Sequence, residues 1–131
     1  MIWDWQQALY QRLSTDEVLS RLARGIYDDV PTPPRWPYVA IGEYTATPDD
    51  SHTSTGLEAT LTLHIWSRYR GNREVLAILE RLHERLHNRR WEAVDATQIV
   101  GSRVEFVEIL RDPDGETRHG VVRIRSWLQK A

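Results

Sequence analysis

The stretch that decides the fold is residues 104–128, which read VEFVEILRDPDGETRHGVVRIRSWL. Two runs rich in β-branched residues flank Asp112-Pro113-Asp114-Gly115. Proline presets the first corner of a turn, and Gly115 can adopt the positive φ that closes it, so this stretch predicts a long β-hairpin. Its second run alternates on a two-residue period, with Val122, Ile124 and Leu128 on one face and Arg123, Arg125 and Trp127 on the other.

The first 24 residues predict two short helices. An apolar stripe at helical spacing marks the first helix: Trp5, Ala8, Leu9 and Leu13. Ser14 and Glu17 have the spacing of a capping box, which predicts that Ser14 caps the second helix. We expect Val18, Leu19 and Leu22 to be its buried face. Gly25 is expected to end it as a left-handed cap.

The middle of the chain predicts two strands, a loop and a third helix. Residues 38–47 and 57–67 have strand patterns, and the polar segment 48–56 between them is typical of a mobile loop. The second of these strands places apolar residues on one face and His64 and Trp66 on the other. Asn72 is a plausible N-cap for a helix with a clean apolar stripe: Val75, Ile78, Leu79, Leu82 and Leu86.

The element order is ααββαββ, with a short extra strand considered at residues 26–27. Residues 91–96 are predicted to be a connector. Helices and strands mix without regular alternation, which favours an α+β fold: a mixed, mainly antiparallel sheet of about four strands with helices packed on one face. A length of 131 residues predicts one domain, residues 1–131.

Composition excludes several classes of protein. The chain has no apolar run long enough to cross a bilayer, and its first residues lack the pattern of a secretory signal, so we expect no membrane partner. There are no cysteines, which excludes disulfides and thiolate metal sites and suits a reducing cytoplasm. The formal net charge of −2 gives no general basic surplus for nucleic-acid binding.

One catalytic pattern is present. His83, Glu84 and His87 spell H-E-x-x-H, in which two histidines on one helix face bind zinc and the glutamate activates water. At 100° per residue, these side chains lie on a solvated flank of the helix, and no third ligand follows at the expected spacing. We therefore predict no metal site, no cofactor and no catalytic residues. A small metal-dependent hydrolase stays as an alternative.

The remaining histidines and arginines indicate surfaces rather than catalysis. His64 is expected to be a partly buried residue, and His119 a solvated strand residue or a contact. Arginines recur on the hairpin and near the end of the third helix, which favours a solvated face, an oligomer interface or a surface facing a pore. A nucleic-acid-binding module that uses the hairpin is the other alternative. The candidate interface residues are Arg118, Arg123, Arg125, Trp127, Asp49, Asp50 and His52.

Four blocks together resemble the phage tail completion, or tail terminator, family of long-tailed phages, prophages and gene transfer agents. The blocks are IYDDVP at 26–31, WPYVAIGE at 36–43, LTLHIWS at 61–67 and LRDPDGETRHG at 110–120. They occur in the order and spacing of that family, and the similarity extends from about Trp5 to Leu128.

The resemblance implies a structural virion protein rather than an enzyme. Such a protein caps the tail tube as a homo-oligomeric ring, usually a hexamer, and joins the tail to the head. Its expected partners are the tail tube protein and the head–tail connector or stopper protein, with DNA only passing through the ring lumen. The implied location is the neck region of the virion tail, after assembly in the cytoplasm of the bacterial host.

Overall fold

The computed structural model describes residues 1–91 and 95–131, in three helices and five strands. The described elements are α1 Ile2–Ser14, α2 Glu17–Leu22, β1 Ile26–Tyr27, β2 Tyr38–Pro48, β3 Gly56–Ser67, α3 Arg73–Leu86, β4 Thr97–Arg111 and β5 Arg118–Lys130. The predicted connector at 91–96 lies partly outside the described residues. None of the helices in these two ranges is long and apolar enough to span a bilayer.

The α+β prediction is confirmed, with a sheet of five strands in the order β1-β2-β3-β5-β4. The fifth strand is the short segment Ile26–Tyr27, which pairs in parallel with Val39 and Ala40. The other strand pairs are antiparallel. Strands β4 and β5 form the long predicted hairpin, so β4 is one edge of the sheet.

The three helices and one face of the sheet enclose the hydrophobic core. The predicted stripes of α1 and α3 are buried, with Trp5, Leu9 and Leu82 inaccessible to solvent. The alternation of β5 is also confirmed, because Val122, Ile124 and Leu128 lie in this core. Full burial of a large apolar side chain is worth about 1.5–3 kcal/mol, so this layer contact is the main stabilising feature.

The predicted boundaries of α2 are wrong in two details. Ser14 ends α1, and the N-cap of α2 is Asp16, whose Oδ2 accepts a hydrogen bond from the Leu19 backbone N–H at 2.8 Å. The helix ends at Ala23 in an extended conformation, so Gly25 is not a left-handed cap. Of the predicted buried face, Leu19 is buried but Val18 is 38% exposed.

A β-bulge in β2 changes which residues face the helices. The register shifts between Ile41 and Tyr44, so Ile41 pairs with Leu63 and Tyr44 pairs with Leu61. Tyr44 therefore turns toward the helix layer and meets Trp5 edge-on, with ring centroids 6.0 Å apart. Burial raises the pKa of Tyr44 to about 12. The same bulge leaves Glu43 on the opposite face of the sheet.

The hairpin turn has the predicted chemistry. Gly115 has a φ of 75° and its N–H bonds the Asp112 carbonyl at 3.0 Å. Asp114 fastens the far side of the turn, because its Oδ1 accepts from the backbone N–H groups of Glu116 and Thr117, both at 2.8 Å. These two hydrogen bonds to Asp114, together with the one from the Thr117 hydroxyl, lower the pKa of Asp114.

Candidate assembly surface

The sheet face turned away from the helices is called the open face, and it holds three of the predicted interface residues. Arg123, Arg125 and Trp127 lie on it, as the alternation of β5 predicts. Their neighbours across β3 are Thr62, Thr60 and Glu58. In the part of the chain described, no group of three or more metal-binding side chains forms here or elsewhere.

The open-face arginines are paired within the subunit. Arg125 donates from Nε to Glu105 Oε2 at 2.6 Å and from Nη1 to Glu58 Oε1 at 3.0 Å. Arg123 donates from Nε to the other Glu105 oxygen at 3.0 Å, and its guanidinium lies over the Phe106 ring. The hydrogen bonds from Arg125 are the main cause of the lowered pKa of Glu105. This patch therefore offers a partner an ordered ion network rather than free positive charge.

A second network on the open face links two histidines. The Glu43 carboxylate lies 2.9 Å from His64 Nε2, and His64 Nδ1 lies 2.7 Å from His119 Nε2. The His119 ring also stacks on Trp66, with centroids 3.9 Å apart and planes 9° apart. Sequence reasoning placed His64 on this face but missed the link, since Glu43 reaches it only because of the bulge.

The geometry assigns the protons of neutral histidines. A carboxylate only accepts, so His64 Nε2 donates to Glu43, which leaves His64 Nδ1 to accept from His119 Nε2–H. Because the two nitrogens of His64 point to different partners, the three side chains do not converge on one ion. Burial, and then the nearby His64, lower the pKa of His119, while Asp112, Glu43 and Glu108 oppose that shift.

Arg118 was predicted with the open-face residues but lies on the other side of the sheet. It is 8% exposed, pairs across β3 with buried Ser67, and donates from Nε to Asn72 Oδ1 at 3.2 Å. Asn72 makes no side-chain cap for α3, so its amide serves this contact instead. Side chains alternate along β5, and Arg118 lies an even number of residues before Val122 and Ile124. The sequence therefore already indicated that Arg118 shares their face and not the face of Arg123 and Arg125.

The remaining predicted interface residues lie in the exposed loop between β2 and β3. Asp49, Asp50 and His52 are all exposed. The base of the loop is closed, because the Asp49 N–H bonds the Gly56 carbonyl at 2.9 Å and Asp50 Oδ1 accepts from the Gly56 N–H at 3.0 Å. The loop lies next to the end of β5, because the Lys130 N–H bonds the Thr55 carbonyl at 3.0 Å.

The H-E-x-x-H segment has no catalytic geometry. His87 lies beyond the end of α3, and its Nδ1 accepts the Val104 backbone N–H at 3.0 Å. Glu84 is paired with Arg81 at 2.9 Å on the exposed side of the helix. The rings of His83 and His87 stack, with centroids 4.4 Å apart. One ring nitrogen of His87 and the carboxylate of Glu84 are thus engaged in structural contacts.

The edge strand β4 exposes apolar side chains along its outer half, which is the half next to the hairpin turn. Phe106, Val107 and Leu110 are 37%, 46% and 42% exposed. An unpaired strand edge with apolar side chains is a site for pairing with another chain. Sequence reasoning found the hairpin but not this edge, because neighbours in a sheet cannot be read from local periodicity.

The same fold is found in a virion. A chain from the structure of the virion of a native gene transfer agent particle aligns with a TM-score of 0.85, covering 95% of this chain and 93% of that one at 22% identity. The bacteriophage SPP1 gp17 protein aligns with a TM-score of 0.50 at 21% identity, over 92% of this chain and 86% of that one. The chain therefore shares the small α+β fold of these two proteins.

The sequence comparison identifies the family. The family described as Tail completion protein gp17 matches residues 7–129. The tail completion protein gp17 of Bacillus phage SPP1 is 24% identical over 120 residues, which is 92% of this chain and 88% of that protein. The chain belongs to the tail completion protein gp17 family. It is a structural tail protein and not an enzyme.

Proposed function

We propose that this protein ends the tail tube as a homo-oligomeric ring, a hexamer in the simplest case, and joins the tail to the head connector or stopper protein. The observation that carries the proposal is the match of residues 7–129 to the tail completion family. The fold shared with a gene transfer agent virion chain over 95% of this chain supports it. In this proposal the ring sits at the neck, forms in the host cytoplasm and lets DNA pass through its lumen.

In a ring, one surface of each subunit contacts a different surface of the next subunit. Such head-to-tail contacts form a closed ring when the rotation that relates neighbouring subunits returns to the first subunit. The edge of β4 supplies one such surface, with Phe106, Val107 and Leu110 exposed beside unpaired backbone groups. Covering these side chains would remove the apolar area that a lone subunit leaves in water. We therefore assign the outer half of β4 to the contact between subunits.

The open face and the loop between β2 and β3 are assigned to contacts with the tail tube protein. Trp127 is half-buried beside the ordered network of Arg123 and Arg125, and tryptophan and arginine are enriched at interface centres. The loop contributes exposed Asp49, Asp50 and His52. Arg118 is not included, because it is buried on the helix-covered face.

The experiment is to make particles without this chain and to restore it by complementation. Electron microscopy would record tail length and the fraction of tails joined to heads. Overlong tubes, or heads and tails that stay separate, are expected without the chain and should be corrected by the wild-type protein. Normal joined particles without the chain would overturn the proposal. The number of subunits per assembly, measured for the purified protein and for the protein in tails, would test the ring.

A further inference from the structure

A recess between the end of α3 and the β4–β5 hairpin is rich in arginine. Its volume is about 290 Å³, and Arg89, Arg90, Arg103 and Trp127 line it. The three arginines are exposed and Trp127 is half-buried. No aspartate or glutamate is among the described residues that line it. The recess therefore combines three guanidinium groups with one indole and no compensating carboxylate in the described chain.

The backbone gives the recess a fixed shape. Asn88 has a φ of 52°, which turns the chain sharply after α3. The Arg89 N–H then bonds the Ser102 carbonyl at 3.3 Å, and Arg89 Nε donates to the Glu84 carbonyl at 3.0 Å. One backbone carbonyl thus binds the main-chain N–H of Arg89, and a second binds its side-chain Nε. The terminal nitrogens of its guanidinium remain for another acceptor.

A β-bulge forms the opposite wall. The register of β4 shifts between Ile99 and Gly101, and Gly101 pairs with Trp127. The indole lies against this glycine, since a Cβ at Gly101 would be 3.5 Å from the Trp127 ring atom Cε3. The glycine gives the indole a flat surface to rest on, and the ring holds one side of the recess.

The recess arginines differ from the ion-paired arginines of the protein. Arg81, Arg123 and Arg125 each bond a carboxylate at 3.0 Å or less. Within residues 1–91 and 95–131, no carboxylate lies within 4.0 Å of the side-chain nitrogens of Arg89, Arg90 or Arg103. The positive charge of this corner is therefore not balanced by the described residues.

Burial is the largest cause of a lowered pKa in two neighbouring groups, and a recess arginine adds a smaller contribution to each. Burial, followed by His83 and Arg103, lowers the pKa of His87. Burial, followed by Arg85 and Arg89, lowers the pKa of Arg12. Both shifts disfavour further positive charge next to the recess. An anion in the recess would relieve this repulsion.

We propose that the recess binds a phosphate group of a DNA backbone, with Arg89, Arg90 and Arg103 contacting the phosphate oxygens. The planar guanidinium fork matches two phosphate oxygens, and phosphate contacts bind without reading base sequence. A protein that holds DNA without a preferred sequence needs this kind of contact. The proposal does not depend on ring formation, because every residue it uses comes from one subunit.

The test measures binding of a fluorescent duplex DNA to the purified full-length protein by anisotropy, in low salt and in increasing salt. Weak binding is expected, with affinity falling as salt rises. Arg89→Gln and Arg103→Gln should each weaken binding about five- to tenfold and reduce the salt dependence. Arg123→Gln is the matched control, since it removes the same charge from an arginine paired with Glu105, and it should leave binding nearly unchanged.

Further arms separate the sources of the anion. Inorganic phosphate should compete only at high concentration, and polyglutamate should compete poorly, because it lacks the tetrahedral oxygens. The proposal is overturned by absence of duplex binding in low salt, by equal losses in Arg89→Gln and Arg123→Gln, or by tighter binding of polyglutamate. Particle assembly with Arg89→Gln is scored separately. Joined particles of normal length would leave the tail-ending role intact even if DNA binding fails.

Discussion

Arg81 holds both carboxylate oxygens of Asp16, with Nε donating to Oδ2 at 2.8 Å and Nη2 donating to Oδ1 at 2.6 Å. Because Asp16 Oδ2 also accepts the Leu19 N–H, one carboxylate both caps α2 and attaches it to α3. Asp16 is 8% exposed, so this attachment lies under the surface of the helix layer.

Replacing Asp16 with Ala should therefore destabilise the fold strongly. The loss combines an N-cap, worth about 1 kcal/mol, with a mostly buried ion pair, so we expect about 2–4 kcal/mol in total. Urea unfolding of the purified protein measures this change. Glu17→Gln is the control, because Glu17 is exposed and adjacent. A loss for Asp16→Ala no larger than for Glu17→Gln would contradict the role of the attachment.

The same carboxylate predicts a pH dependence. The hydrogen bond from Arg81 is the main cause that lowers the pKa of Asp16 from 3.8 to about 2. Since the folded pKa is below the unfolded one, this contribution is fully present above pH 4 and is lost as pH falls from about 4 to about 2. After allowance for solvent at the Arg81 end, it is about 1–2 kcal/mol. Asp16→Asn should flatten the stability curve in that window; an unchanged acid limb would refute the assignment.

The histidine pair predicts a second pH effect. The pKa of His119 is lowered by burial and by His64, so the folded protein binds this proton less readily than the unfolded chain does. Stability from this source is present above about pH 6.5 and declines as pH falls toward the lower folded pKa. Ring nitrogen NMR measures the titration of His119, and His64→Gln should raise the pKa of His119 because it removes one cause of the lowering. An unchanged pKa of His119 in the His64→Gln variant would contradict the link.

The edge strand should be the most sensitive site for assembly. Leu110→Lys places a charge on an exposed apolar position of β4, so the free subunit should fold normally while assembly into tails is lost. Glu80→Lys adds a lysine on the exposed side of α3, away from the sheet, and is the matched control. Melting temperature and electron microscopy of particles measure the two effects. Normal tails with Leu110→Lys would show that this edge is not the subunit contact.

The loop between β2 and β3 should order on assembly at its tip. The amides of Asp49 and Gly56 are hydrogen-bonded at the base of the loop, whereas the tip has hydrogen bonds from Ser51 to the carbonyl of Ser54, three residues away. Hydrogen exchange of the free protein should show slow exchange at the base and fast exchange at His52 and its neighbours. In assembled tails the tip should become protected. Strong protection of the tip in both states would reject a mobile loop.

Features set by local sequence were predictable. Pro113 and Gly115 determine a turn within four residues, and the apolar spacing around Ile78 and Leu82 determines one helix face. The strand alternation around Ile124 placed Arg123 and Arg125 correctly on the open face. These patterns act within a few residues of the chain, so a single sequence displays them.

Features set by residues distant in the sequence were not predictable. The bond between Glu105 and Arg125 depends on the β4–β5 register, and that register contains two bulges. Asp16, rather than Ser14, is the N-cap of α2. Its carboxylate also accepts a hydrogen bond from Arg81, which lies 65 residues away in the sequence. Arg118 is the exception, since its position in the alternation already excluded it from the open face.

The bulge at Gly42 has a consequence for how this chain can evolve. A Cβ at Gly42 would come within 2.7 Å of the His64 ring, so the residue must stay small for Glu43 and His64 to meet. The same offset of one residue turns Tyr44 toward Trp5. Deletion of one of the two bulge residues would leave a single residue opposite Thr62 and keep Tyr44 opposite Leu61, so the rest of β2 would keep its inner and outer sides. The interior therefore tolerates the loss of one residue at this point, whereas the identity of residue 42 is restricted by the His64 ring beside it.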